Sequence, residues 1–328
     1  MAMTLNDMKV GMSDKVSQQI VDIFLRESEI LQILPFDNTV SPSGGSTLTY
    51  GYLQTKIPST AAFRALNADY TATEATVEKK TVDLKIFGGS FGMDRVLHDA
   101  EGKYNNMAFQ MEQKIKAAVS LFHYTMINGN STSTNEFDGL DKMLVGTTSE
   151  YNASAVIDLS TMTNLHNNAD QFYELLMNLV NNTGANALLM NGSMISKIQT
   201  VARYLGYKTE TEEAFGKRVV SMDGVRFMDL GKHYTVASTT VTGNDCVKAN
   251  ISRTVTTAQT GLTDIYAVKC DVNDGFHGAT LTGDKIIKQY IPDWSQPGAV
   301  KEGEVEMVAA CVLKNTAHAG VLRNIKLV

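Results

Sequence analysis

"TMINGNSTSTNEFDGLDKML", residues 125–144, is the stretch on which the reading of this chain turns. A helical pattern enters it from the left and stops at Asn128-Gly129. A polar run follows from Asn130 to Glu136, and an apolar segment restarts at Phe137-Asp138-Gly139-Leu140. Asn-Gly is a common helix C-cap, because glycine enters the left-handed region without steric cost. A sharp stop followed by an apolar restart predicts a joint between a long element and something packed beside it. The residues forming that joint are Asn128, Gly129, Gly139 and Leu140.

Upstream, Met107, Met111, Ile115, Ala118, Val119, Phe122 and Met126 recur at the spacing of one helix face. Glu112, Lys114 and Lys116 occupy other faces. Residues 93–128 therefore carry the strongest helical signal in the chain, a spine that ends at the joint.

Further upstream, "STLTYGYLQTKIP" (46–58) and "TVEKKTVDLKIFGG" (76–89) alternate as strands do. The segment between them is small and polar, with Phe63, Leu66 and Tyr70 as its large apolar groups. Two long strands joined by a broad loop with so little apolar surface do not stabilise themselves in water. The loop must lie on something, in its own chain or another. Residues 13–34 read as a helix with Ser13 as N-cap and Pro35 as its stop, and "SPSGGS" (41–46) reads as a flexible connection.

Downstream, the pattern alternates helix and strand. Helices are expected in the latter part of 160–180 and over 192–206, and strands at 185–191, 224–231 and 234–239. Residues 240–262, rich in Thr, are expected as an exposed loop or edge. "TDIYAVKC", "KIIKQYI", "EVEMVAACVLK" and "AGVLRNIKLV" complete the chain as strand-like runs. The fold class is α+β.

The chain's 328 residues are 43% hydrophobic and 20% charged, enough for a sizeable core and about two domains. The net charge is −6, and the longest basic run is Lys79-Lys80, so nucleic-acid recognition by a basic patch is not indicated. The cysteines Cys246, Cys270 and Cys311 form no CxxC pair, and no two histidines stand at metal-ligand spacing. "DVNDGFHG" (271–278) departs from a calcium loop and reads as a turn. No apolar run approaches the roughly 18 residues of a membrane span. Neither a cofactor nor a metal site is expected. One catalytic pattern matches: "GGSFG" (88–92) satisfies G-x-S-x-G, with Ser90 as the nucleophile of a serine hydrolase. That elbow needs a buried central strand of a parallel sheet, whereas the strand before Ser90 alternates as a half-exposed strand does. The glycines are expected to form a bend between hairpin and helix.

The order of parts resembles the major capsid protein of tailed bacteriophages, a fold shared with encapsulin shells. The joint residues carry the resemblance: Asn128-Gly129 after a long helix, then Phe137-Asp138-Gly139-Leu140. It implies an N-terminal arm (1–45) and an extended loop (46–90). It implies a peripheral domain with the spine helix (91–150, completed by strands in about 265–314) and an axial domain (151–264, completed by about 315–328). It also implies a structural, non-enzymatic protein that assembles with itself, as pentamers and hexamers, into an icosahedral shell around phage double-stranded DNA. The DNA would be enclosed without sequence-specific contact. A procapsid would be built in the host cytoplasm, with a separate scaffold protein and a portal as partners and no membrane, and would mature into the virion. The expected contacts to a neighbouring subunit are Phe63, Arg64, Leu66 and Tyr70, with Lys79 and Lys80 on the adjoining strand. An encapsulin-like nanocompartment is the near alternative, and a Ser90 hydrolase the distant one.

Overall fold

The computed structural model describes residues 28–40, 47–99, 106–133, 135–207, 209–214, 217–238, 240–281 and 286–328. The strands, in chain order, are β1 (Phe36–Asn38), β2 (Thr49–Ile57), β3 (Thr76–Asp83), β4 (Lys85–Asp94), β5 (Glu150–Tyr151), β6 (Ile157–Asp158), β7 (Ala187–Met190), β8 (Glu210–Ala214) and β9 (Lys217–Met222). They continue as β10 (Val225–Asp229), β11 (Lys232–Ala237), β12 (Thr240–Asp245), β13 (Ile251–Thr254), β14 (Ala258–Val268), β15 (Phe276–Thr280), β16 (Ile287–Tyr290), β17 (Val300–Leu313) and β18 (Ala319–Lys326). The α-helices are Glu29–Ile33, Arg95–Asp99, Asn106–Asn128, Leu140–Leu144, Met162–Thr183 and Gly192–Leu205.

The spine helix is Asn106–Asn128. Each residue of the expected face is buried, with Ile115 2% exposed and Phe122 and Met126 fully enclosed. Phe122 stacks on Phe87 of β4 at 6.1 Å and meets Phe36 and Phe137 at 6.1 and 6.0 Å. The helix lies on a sheet ordered β1-β15-β17-β16, with β4 paired to the other side of β17. The apolar stripe read from the sequence is thus one half of a helix-on-sheet core.

The helical pattern was expected to run from residue 93, but β4 continues to Asp94. The cause is β17, which supplies antiparallel partners from Val300 opposite Asp94 to Ala309 opposite Lys85. Gly88–Gly92 are accordingly strand, not a bend. A Cβ at Gly88 would stand 1.9 Å from the Val305 carbonyl oxygen, so glycine here permits close approach of two backbones. Arg95–Asp99 is a separate short helix.

The second sheet is ordered β5-β18-β14-β7-β10-β9-β8, with β13 on β14 and β6 on β18. All of "ALLM" in β7 is buried because both faces of the sheet are covered. Ala187 and Leu189 join the spine-helix core, while Leu188 and Met190 face the core under helices Met162–Thr183 and Gly192–Leu205. Both helices start at a side-chain cap, Thr161 and Asn191, and both end at a left-handed glycine, Gly184 and Gly206.

Residues 240–262 are more regular than expected, because β12 pairs with β11 and β13 pairs with β14. Phe276-His277-Gly278, read as part of a turn, opens β15 instead, recruited by its register with Leu313, Val312 and Cys311. The β8–β9 hairpin has no counterpart among the sequence expectations. The N-terminal helix appears as Glu29–Ile33 with Ser28 capping Leu31, and Pro35 follows its end. Its expected start at Ser13 lies outside the described residues.

Candidate functional site: the extended hairpin and its joint

β2 and β3 pair from Thr49 opposite Asp83 to Ile57 opposite Thr76. The root of this hairpin is fastened to the body. Tyr50 donates its hydroxyl to Asp37 at 2.6 Å, Tyr52 donates to the Leu313 carbonyl at 3.1 Å, and Gln54 donates to the Lys314 carbonyl at 3.1 Å. These residues alternate along β2, so one face of the hairpin is spent on its own chain.

Beyond Gln54 the chain leaves the body. Phe63 is 106% exposed, Leu66 91% and Tyr70 67%. Among the described residues, the hydrogen bonds of 58–75 stay within the segment, as between Thr60 and Thr73 at 2.9 Å. Arg64 lies over the Tyr70 ring at 5.4 Å and donates to the Ala68 carbonyl at 3.2 Å. Lys79 and Lys80 stand opposite Leu53 and Tyr52 on β3. Lys80 pairs with Glu78 at 3.0 Å.

At the joint, Gly129 closes the spine helix by donating to the Thr125 carbonyl at 2.8 Å, and Gly139 donates to the Gly129 carbonyl at 2.9 Å. Any Cβ at Gly129 would meet the Phe137 oxygen at 2.3 Å, and one at Gly139 the Ile127 oxygen at 2.5 Å. Two backbones therefore touch here with no side chain between them. Asn128 donates to the Cys246 carbonyl at 2.7 Å, and Leu140 is fully buried. Between these points Ser131 donates its backbone N–H to Asp138, which also pairs with Lys142 at 2.7 Å.

The joint is locked to the second sheet by a polar cluster with no local sequence signal. Arg323 of β18, 5% exposed, donates to Glu150 at 2.8 Å and to Asp264 at 3.1 Å, and it pairs with Asp141. Arg253 grips Asp264 through two bonds of 2.6 Å, and Tyr266 donates to Asp141 at 3.0 Å. Burial by itself would raise the Asp141 pKa. The Arg323 charge and hydrogen bond outweigh it and hold the carboxyl below its ordinary value. The carboxylates that Arg323 holds lie 59 to 182 residues from it in sequence.

Ser90 stands exposed in mid-strand opposite Glu304, in an antiparallel pair. A nucleophile elbow needs a strand-to-helix turn, which this geometry lacks. Burial pushes the Cys246 and Cys270 thiols up to about 12, so neither is a thiolate at neutral pH. Among the described residues no cluster of His, Cys, Asp or Glu could hold a metal ion, and no helix is long and apolar enough to cross a membrane. His123 is buried, 2.8 Å from the Ser28 hydroxyl.

No protein-family model matches the chain, and no curated protein matches it in sequence. Solved structures do match. The SrpI encapsulin of Synechococcus elongatus aligns over 92% of this chain and 88% of its own, at 13% identity and a TM-score of 0.56. The capsid of a native GTA particle aligns over 90% and 89%, at 9% identity and a TM-score of 0.59. A structure of Mycobacterium phage Bobi aligns over 92% and 90%, at 13% identity and a TM-score of 0.56. From spine helix to final strand, this chain has the fold that phage capsid proteins share with encapsulins.

Proposed function

We propose that this protein is a shell subunit, the major capsid protein of a phage-type head, which assembles with itself into a closed icosahedral container for double-stranded DNA. The observation that carries the reading is the extended hairpin. Its root is bonded to the body, while its outer part keeps Phe63, Leu66 and Tyr70 in solvent. Such a segment gains its stability by burial against another molecule. The shared fold with capsid and encapsulin subunits makes another copy the natural partner. In this reading Phe63, Arg64, Leu66, Tyr70, Lys79 and Lys80 make contacts between subunits. Asn128, Gly129, Gly139 and Leu140 hold the spine helix at a set angle to the rest. Residues 91–150 and 151–264 act as peripheral and axial parts, and 1–45 as an arm. A net charge of −6 keeps packaged DNA from adhering to the wall.

The test is expression of the full chain, alone and with the scaffold and portal genes of its neighbourhood, followed by size-exclusion chromatography and negative-stain microscopy. Closed shells or ring-shaped capsomers are expected. A protein that stays a small soluble species under all these conditions refutes the reading. The contents of purified particles separate the two kinds of container: nucleic acid marks a phage head, and a co-purifying protein cargo marks a nanocompartment.

A further inference from the structure

The chain passes between its two sheets at a place where two crossovers meet. Residues 269–275 lead from β14 of the second sheet to β15 of the first, and residues 314–318 lead from β17 of the first sheet back to β18 of the second. The crossovers run side by side. The Lys269 N–H donates to the His318 carbonyl at 3.0 Å, the Lys314 N–H to the Gly275 carbonyl at 3.4 Å, and the Lys314 ammonium to the Val272 carbonyl at 2.6 Å. A change in the angle between the sheets at this point falls on these few residues.

His318 stands where the crossovers meet the end of helix Met162–Thr183. Its Nε2 is 3.0 Å from the Asp274 carboxylate, and its Nδ1 is 3.3 Å from the Thr183 carbonyl oxygen. Both partners can only accept. A neutral imidazole has one N–H and one lone pair, so it satisfies one of them and turns its lone pair on the other. The imidazolium has an N–H at each nitrogen and satisfies both. The geometry therefore fits the charged ring.

The helix supplies a second reason. Met162–Thr183 is 22 residues long, ends at the left-handed Gly184, and has no basic residue in its last turn. The last carbonyls of a helix lack intrahelical partners and form the negative end of its dipole. His318, 135 residues away in sequence, brings the cation that the helix's own sequence lacks. The other charges around the ring balance. The first crossover contributes Lys269, Asp271 and Asp274, with Lys269 3.1 Å from Asp274, and the second contributes Lys314. Two lysines offset two aspartates, so the two direct acceptors decide the ring's proton. The Lys269 hydrogen bond outweighs burial and, with the His318 charge, holds the Asp274 carboxyl below its ordinary value. Asp274 is thus an anion throughout the range, about pH 5 to 8, in which histidines titrate.

We propose that His318 is a proton-operated clamp between the two sheets: charged, it ties the last turn of helix Met162–Thr183 to the Asp274 crossover, and neutral, it releases one of the two. Every part of the clamp lies within one chain, so the inference stands apart from the shell reading. The clamp is closed in mild acid and opens as the pH rises. The stability it adds is accordingly present at low pH and lost on going up. His277 acts in the opposite sense, with stability lost as the pH falls, and it is common to parent and variants.

The experiment compares the full chain with its His318→Gln variant, both as unassembled subunits, in urea unfolding across the histidine range. At about pH 5.5 the parent's midpoint should exceed the variant's by about 0.3 M urea, and by about pH 8 the gap should close. Hydrogen exchange, corrected for the intrinsic rate at each pH, reads the crossovers directly. In the parent, residues 180–185, 269–275 and 314–318 should lose protection roughly threefold over that rise in pH, while helix Gly192–Leu205 keeps its own. In the variant, protection of the three segments should not depend on pH. His318→Arg, charged at every pH used, should keep them protected at the upper end. A midpoint gap of the same size at both ends would mean packing without a clamp and overturns the proposal. Crossovers equally protected at both ends in the parent also overturn it. If His318→Gln does not fold, Asp274→Asn, at a half-exposed position, makes the same test. It should shrink the pH-dependent part, and a pH response unchanged from the parent's overturns the proposal.

Discussion

Replacing Gly139 with alanine puts the joint under direct test. The new Cβ would stand 2.5 Å from the Ile127 carbonyl oxygen and 2.6 Å from the Gly129 nitrogen. Both are main-chain atoms at the end of the spine helix, and no side-chain rotation relieves them. Ordinary contact requires roughly 3.5 Å, so about an ångström must be opened between two buried segments. Overpacking of this kind costs about 1–3 kcal/mol. The same movement weakens the 2.9 Å bond from the Gly139 N–H to the Gly129 carbonyl, a further loss of about 1 kcal/mol. The expected destabilisation is about 3 kcal/mol. Gly146→Ala is the control, because Gly146 has φ +72° with nothing within 4 Å of its Cβ position. That substitution carries only the left-handed backbone cost of about 1 kcal/mol. Gly129→Ala should cost at least as much, because its Cβ would also meet the Thr125 oxygen at 2.5 Å, and the double variant should lose less than the sum, since one opening relieves the Phe137 and Ile127 contacts together. Urea unfolding of unassembled subunits, followed by circular dichroism, measures all four variants. A Gly139→Ala loss no greater than that of Gly146→Ala would refute the close-approach reasoning.

Ile115→Asp places a charge on a position only 2% exposed against the sheet, and several kcal/mol of destabilisation should leave the subunit insoluble; a soluble, assembling variant would show that this face is open. Phe122→Ala should cost about 4 kcal/mol in urea unfolding, since the ring is fully buried among Phe36, Phe87 and Phe137. Replacing 59–76 with a short glycine-containing turn should leave the melting of the isolated subunit nearly unchanged and abolish shells in the microscope. Normal shells from that deletion would remove the hairpin from the assembly mechanism. Burial, reinforced by the nearby Lys314 charge, lowers the His277 pKa from 6.5 to about 4. The unfolded chain then binds a proton that the folded chain refuses, so stability falls as pH drops from 6.5 and this loss is complete near 4. His277→Leu should flatten that part of the urea midpoint–pH curve, and an unchanged curve would show that the imidazole is not the group responsible.

The parts whose information is local were legible in the sequence. The spine stripe from Met107 to Met126, the strand alternation in 46–58 and in the first half of 76–89, and the helix over 192–206 are set by nearest neighbours and periodicity; the stop at Asn128-Gly129 was legible too, but Gly129 is glycine because the Phe137 backbone leaves no room for a Cβ, not because it is left-handed. Tertiary partners decided the rest. Gly88–Gly92 reads as a bend by composition, yet it is strand because β17 pairs alongside it, with a backbone at Gly88 too close for a Cβ. "FHG" at 276–278 reads as a turn, yet β17 recruits it too. The Arg323 cluster joins Asp141, Glu150 and Asp264 across separations no spacing rule spans. A helix face or a cap is written in adjacent residues, because its energy comes from contacts a few positions apart. A strand's partner, and the surface two strands make together, depend on which distant segment folding brings beside it.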